Sequence, residues 1–294
     1  MGKPVTSVCS AFGFLSLLAC TLIVGCNRQP VTCKDLILSS FDGDMTKIKS
    51  LLDASIDVNC KSDVTVSSAD GSFKVKSDTT ALLAASLAGR PETVKTLLAR
   101  GARPDVVAKF GITPVIVAAY VGNVDSIRAL LKEGARLDRA DEGGSTPLHY
   151  AILGSHPEIA ALLMEAGAKP DPVNGTGWTP LAMACIGSPL KEKMNMMASR
   201  ESGKLPLSTS DSEWRPTDTK CIEVLLSHGA SPTIKDSFGM TPLQSAVFFA
   251  PDDVCILLAK KVAVSNSIEL DAAIRVASGG QRSALARTMS KMKR

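Results

Sequence analysis

Thr146-Pro147-Leu148-His149-Tyr150-Ala151 is the stretch whose reading decides the fold. Its opening recurs at a fixed step. Thr113-Pro114-Val115 begins 33 residues earlier, Thr179-Pro180-Leu181 begins 33 residues later, and Thr80-Ala81-Leu82 stands one further step back. Thr241-Pro242-Leu243 follows Thr179 by 62 residues, which is one period plus a 29-residue insertion. A repeat of this length signals a stack of small units rather than one catalytic globule. The phase holds beyond the Thr. Gly89 and Gly122 lie nine residues after Thr80 and Thr113, while Gly101, Gly134 and Gly167 lie 21 residues after Thr80, Thr113 and Thr146, each followed by Ala. Gly229-Ala230 fills the same slot after the insertion.

Each part of the unit has a physical reading. Thr accepts a hydrogen bond from a free amide of the first helical turn. Pro next to it has its φ preset and lacks an N–H that would be orphaned there. Ala118, Ala119 and Ala151 are small enough for helices to approach closely, and Gly122 ends the first helix. A second helix shows apolar residues at helical spacing, Ile127, Leu130 and Leu131 in one unit and Ile159, Leu162 and Leu163 in the next. Gly134 or Gly167 then supplies a left-handed C-terminal cap. One such pair cannot bury its own apolar faces, so stacking must supply the core.

The pattern resembles the ankyrin repeat, whose units open Thr-Pro-Leu-His-x-Ala, and Thr146 to Ala151 matches that opening residue for residue. The resemblance covers nearly everything after residue 32. It implies an all-α ankyrin-repeat solenoid of about seven helix-pair units with β-hairpin-like finger loops. Looser copies flank the clear ones. In residues 34–59, Leu36, Gly43, Ile48, Leu51 and Leu52 fall in phase, with Ser55-Ile56 in the Gly-Ala slot. Residues 241–266 carry Ala250-Pro251 in place of the interhelix Gly, and 267–294 read as a capping unit broken at Gly279-Gly280. The repeat domain is expected over 33–294, with insertions at about 60–79 and 188–218.

The first 25 residues stand apart. Lys3 precedes an apolar run from Ala11 to Val24, too short to span a bilayer comfortably but suited to a secretory signal. The run ends Leu22-Ile23-Val24-Gly25-Cys26, which resembles a bacterial lipobox. That resemblance implies a lipoprotein signal peptide over 1–25, cleavage before Cys26, acylation (palmitate among the chains) of Cys26, and a short tether over 26–32. Several acyl chains on one residue anchor stably where one is marginal. Asn27, rather than Asp, leans toward the outer membrane, so the expected location is the cell envelope facing the periplasm. An uncleaved anchor or an ordinary signal is the alternative.

Lys3 is the only charge in that segment, so its removal leaves 32 basic against 29 acidic residues. This near balance argues against nucleic acid as the main partner. The last 20 residues are the exception, with Arg275, Arg282, Arg287, Lys291, Lys293 and Arg294 and no acid. Together with the apolar Leu285, Met289 and Met292 they read either as a capping helix with a solvated face or as an attraction to anionic lipid or an acidic partner. Cys185, Cys221 and Cys255 fall in apolar helix slots, as small buried hydrophobes would. Cys33 and Cys60 flank the first helix pair, which brings its two ends together, so in an oxidising compartment they can bond.

No pattern for chemistry stands out. His149, His156 and His228 lack Cys or Asp at metal-ligand spacing, and the chain carries no Gly-rich phosphate loop, His-Glu-x-x-His or Gly-x-Ser-x-Gly. Asp141-Glu142 and Asp252-Asp253 lie at turns and helix starts, where solvation and the helix dipole account for them. No enzyme activity, metal or cofactor is expected.

Ankyrin resemblance also implies that the finger tips and first-helix ends face a partner. Leu87, Tyr120, Leu153, Ile186 and Phe248 stand seven residues after each Thr, with Phe41 matching in the first unit and Phe249 beside Phe248. Before the Thr come Ile112, Trp178 and Met240, with Phe110 and Phe238 two residues further back. Such an apolar strip, if exposed, marks an interaction site, and aromatics anchor interfaces; packing between units is the competing account. The finger insertion alternates Val64, Val66, Phe73 and Val75 around Ala69-Asp70-Gly71-Ser72, and Asp-Gly signals a hairpin. The expected function is a monomeric, envelope-anchored scaffold that captures a protein, with an immunity-type block of a toxic effector enzyme as one version. An assistant to an envelope enzyme and a surface adhesin remain open beside it.

Overall fold

Each Thr that sets the phase caps a helix. The hydroxyls of Thr80, Thr113, Thr179 and Thr241 accept from the amides of Leu83, Ile116, Ala182 and Gln244 at 3.2 to 3.4 Å. Gln244 returns the favour by accepting from the Thr241 amide at 3.0 Å, a reciprocal capping box. At Gly122 the first helix ends in left-handed backbone with φ 88°. Gly101, Gly134, Gly167 and Gly229 close second helices the same way, at φ between 81° and 99°. Ser55 and Ser155 adopt this conformation too, at φ 63° and 60°. A side chain there costs about 1–2 kcal/mol.

The computed structural model describes residues 32–71, 73–186, 219–265, 267–279 and 282–293. The expected signal peptide, Cys26, the tether up to residue 31 and the 188–218 insertion lie outside the described residues. The stack is one compact unit, Cys33–Arg294. Its helices are α1 (Cys33–Asp42), α2 (Met45–Asp53), α3 (Ala81–Leu87), α4 (Pro91–Ala99), α5 (Pro114–Val121), α6 (Val124–Lys132), α7 (Pro147–Leu153), α8 (Pro157–Glu165), α9 (Pro180–Ile186), α10 (Thr219–Ser227), α11 (Pro242–Phe249), α12 (Asp252–Ser265), α13 (Ser267–Gly279) and α14 (Ser283–Ser290). Between α2 and α3 the finger insertion forms a hairpin of β1 (Val66–Ser67) and β2 (Lys74–Val75), antiparallel, with Val66 opposite Val75.

Among the described residues consecutive helices pair, α1 with α2 through α13 with α14, giving seven pairs. The first helices of the pairs stack in one row, each against the next, and second helices form a row beside them. The core runs between the rows. Ile37, Leu83, Ile116, Leu148, Leu181 and Leu243 from first helices meet Ile48, Leu97, Ile127, Ile159, Ile222 and Val254 from second helices, all buried. Burying apolar surface at about 25 cal/mol per Å² is what holds such a stack, since no pair closes a core alone.

The two ends are finished differently. Cys33 and Cys60 form a disulfide that ties the start of α1 to the chain leaving α2. At the other end Leu285 and Met289 are buried, so the apolar stripe of the last helix is packing. Arg282 anchors that cap. Its Nη1 donates to the carbonyls of Val247 and Ala250, both at 2.8 Å, and its Nη2 donates to Asp252. The guanidinium thus satisfies orphan carbonyls at the end of α11, where Ala250-Pro251 has replaced the usual Gly.

Candidate protein-binding surface

Three finger turns are each built by one side chain, five residues before Thr146, Thr179 and Thr241. Asp141 accepts from the Ser145 amide at 2.7 Å and Asn174 accepts from the Trp178 amide at 2.9 Å. Asp236 accepts from the amides of Phe238 and Met240 at 2.9 and 3.0 Å. Asp and Asn favour such turns because they bond the backbone a few residues on. Asp141 has a second task, accepting from the Tyr150 hydroxyl at 2.6 Å. Burial and the neighbouring carboxylate push the Tyr150 phenol far above its ordinary pKa, so it stays a neutral donor. The phase position of Asp141, Asn174 and Asp236 is visible in the repeat, and that is the signal by which they could have been found. Asp141, expected as a solvated turn residue, instead accepts two hydrogen bonds that build its finger.

Successive fingers are tied together. The Glu142 amide donates to Phe110 O at 3.0 Å, the Gly175 amide donates to Gly143 O at 2.8 Å, and the Trp178 indole donates to Asp236 at 3.3 Å. Gly144 is needed here: it has φ 76°, and a Cβ on it would lie 2.8 Å from the Gly175 nitrogen.

The histidines make structural contacts, His149 to the next finger, His156 to the end of α5 and His228 to the end of its own helix, where its Nδ1 lies 2.8 Å from the Val224 carbonyl. His149 Nδ1 accepts from the Thr146 amide at 3.1 Å, and Nε2 stands 3.1 Å from the Trp178 carbonyl. An amide only donates and a carbonyl only accepts, so the proton sits on Nε2. Burial depresses its pKa to about 4. His156 Nε2 lies 3.0 Å from the Tyr120 carbonyl, its ring filling the space beside Gly122 and Gly154. Cys185, Cys221 and Cys255 are buried thiols, and burial raises the pKa of Cys185 and pushes that of Cys255 up to about 11. Such thiols are poor nucleophiles. Among the described residues no cluster of three His, Cys, Asp or Glu is arranged to hold a metal ion.

The expected aromatic strip is not continuous. Leu87, Ile112, Tyr120 and Ile186 are buried, which corrects their expected role as partner contacts. Leu87 lies on α3, against which β1 packs. Ile112 turns into the finger base, where its carbonyl accepts from the Ala108 amide at 2.8 Å. Ile186 ends α9, which is packed between α7 and α11. Tyr120 retains only 6 % exposure. The hairpin explains this: the Phe73 ring lies 5.1 Å from the Tyr120 ring and 5.8 Å from that of Tyr150. Phe41, Leu153, Trp178 and Met240 are half-buried. Beside Leu153, a dent lined by Ser145, His149, Tyr150 and Met183 is too shallow to hold a water molecule.

What stays open is a set of phenylalanines. Phe238 is 76 % exposed at a finger tip and Phe110 43 % at another. Phe248 is 60 % exposed at the end of α11, 6.1 Å from the exposed ring of Phe249. Phe110 holds φ 66° and lies under the Lys109 ammonium, 5.0 Å from its ring centre. Bulky residues rarely adopt that backbone region, and such strain gathers at sites of contact.

Residues 81–174 match the family model for ankyrin repeats in three copies. The match falls on the regular α3–α8 pairs and their fingers. With the helical architecture it defines the class: an all-α ankyrin-repeat solenoid, a scaffold for protein–protein interaction. No curated protein matches the chain.

Proposed function

We propose that the chain is a non-catalytic scaffold, held at the bacterial envelope through acylated Cys26, that captures a protein on its exposed phenylalanines. The observation that carries this is the exposure of Phe238 and Phe248, at 76 % and 60 %. Their rings stand at the finger tip and first-helix end of the same unit, the two places where ankyrin repeats meet partners. Large exposed aromatics are costly to keep in water and are favoured interface anchors. The partner therefore seats on the C-terminal part of the first-helix row and on the finger tips at Phe110 and Phe238, not on the whole strip.

The envelope location is supported by the lipobox-like run ending at Cys26 and by the Cys33–Cys60 disulfide, a bond that persists in oxidising compartments. Mass spectrometry of the mature N-terminus tests the anchor: a multiply acylated Cys26 is expected, and an intact Met1 contradicts it. A photo-crosslinking amino acid at position 238 tests the surface. One protein joined in living cells is the expected outcome, and no adduct contradicts the assignment. An immunity-type role further requires that deletion harm cells only when the toxic enzyme is present.

A further inference from the structure

The finger tips join in register, and the last tip in the row has an open side. Phe110, Gly143, Thr176 and Phe238 share one phase, three residues before Thr113, Thr146, Thr179 and Thr241. The carbonyls of the first three are each taken by the finger that follows. The Glu142 amide donates to Phe110, the Gly175 amide donates to Gly143, and the Ser237 hydroxyl donates to Thr176. In every case the donor is the residue before the next tip. The Phe238 carbonyl ends this series, and among the described residues nothing donates to it. No finger follows it, because α12 ends at Ser265 and α13 begins at Ser267.

The glycine after each tip reports the same thing. A Cβ on Gly111 would lie 2.8 Å from Asp141 Cα, one on Gly144 2.8 Å from the Gly175 nitrogen, and one on Gly177 2.6 Å from the Ser237 nitrogen. Each of these is pressed by the next finger. Gly239 has the same phase and the same left-handed backbone, φ 75°, yet a Cβ on it would meet nothing within 4 Å. Beside it the Phe238 ring is exposed, where the inner tips carry the small Gly143 and Thr176. Behind the tip the stack continues, with Lys235 Nζ of the finger 4.0 Å from Glu269 of α13. A second copy of the chain could not extend the row here, because its helices would have to stand where α13 and α14 are. The open side suits a single turn.

We propose that the Phe238–Gly239 edge receives a β-turn of the captured protein, which joins the row as a next finger would. A backbone N–H of that turn donates to the Phe238 carbonyl, its backbone lies against Gly239, and an apolar side chain covers the Phe238 ring. Addition to exposed backbone groups draws affinity from main-chain bonds and specificity from the side chains beside them. That the turn belongs to a captured protein rests on the proposed function; the capacity of the edge to take a turn does not.

The chain's own second finger is the probe. A peptide of Asp138 to Ser145, closed by a disulfide between cysteines added at its ends, carries the Glu142 donor. It also keeps the bonds of the turn, from the Gly144 amide to the Asp141 carbonyl and from the Ser145 amide to the Asp141 side chain. Titrated into the disulfide-intact protein and followed by amide NMR, it should shift Gly239 and Met240, half-saturating near about 1 mM, and leave Ala84 and Val117 in place. N-methylation of the Glu142 amide in the peptide removes the donor and should weaken binding at least about tenfold. Gly239→Asn is the second arm. Asn tolerates left-handed backbone, and its side chain enters open space, so the fold should stand while peptide binding falls at least about tenfold. No shift at Gly239 up to about 10 mM peptide, or full binding by the N-methylated peptide, overturns the proposal. A protein joined through position 238 but captured equally by Gly239→Asn would refute the edge and spare the proposed function. Peptide binding at the edge with no protein joined at position 238 would do the reverse.

Discussion

The Nε2 proton of His149 is donated to the carbonyl of Trp178, joining the cap of α7 to the next finger across 3.1 Å. The ring is fully buried and its pKa is depressed to about 4, against an ordinary value of 6.5. Between those values the unfolded chain binds a proton that the folded chain refuses, so stability rises with pH through this window. The stabilisation is complete above about pH 6.5 and is lost as pH falls toward 4, with a total of about 3 kcal/mol. Thermal melts from pH 7.5 to 4 should show this loss. His149→Gln should flatten that slope, because an amide cannot take up the proton.

Ser155 pays for a left-handed backbone at φ 60° in the slot where Gly89 and Gly122 serve other units. Ser155→Gly should raise stability by about 0.5–1 kcal/mol, the relief of strain minus the entropy of a freer unfolded chain. In a stack of this size that amounts to about 1–4 °C in melting temperature. Calorimetry of the single variant checks it.

Arg282 caps the carbonyls of Val247 and Ala250 and pairs with Asp252. Arg282→Ala leaves those carbonyls without their charged donor and should cost about 2 kcal/mol. Because units couple only to neighbours, the loss should be local. Hydrogen exchange should quicken across 267–279 and 283–290 while Ala84 and Val117 are unaffected.

The Cys33–Cys60 bond closes a 27-residue separation around the first helix pair. Its reduction should destabilise that pair by about 3 kcal/mol. Melts with and without reductant, repeated on Cys33→Ala, should show an early transition confined to α1 and α2. Cys33→Ala should be insensitive to reductant.

The architecture was legible because every unit repeats the same local demands. Thr80, Thr113, Thr179 and Thr241 cap helices where the period places them, and Gly122 and Gly134 take left-handed backbone where the phase requires it. The hairpin around Asp70-Gly71 was legible for the same local reason. The surface was legible only in part. Phase assigns Tyr120 and Phe248 to the same face, but it says nothing of what lies over that face, and Phe73 arrives from 47 residues earlier to cover Tyr120. The task of Arg282 depends on contacts 32 to 35 residues away, so local pattern left it an undistinguished member of a basic tail. Asp141 and its partners stood in the repeat phase and were missed because an acid beside a turn already has a sufficient local explanation.

The most direct measurement is affinity capture from native envelopes with the wild type and with the double variant Phe238→Ala, Phe248→Ala, compared by quantitative mass spectrometry. Truncating two central aromatic anchors costs about 2 kcal/mol or more each, so a single protein abundant with the wild type should fall at least tenfold with the variant. Equal recovery of the same proteins by both, with the variant folded by its melt, would contradict the docking surface.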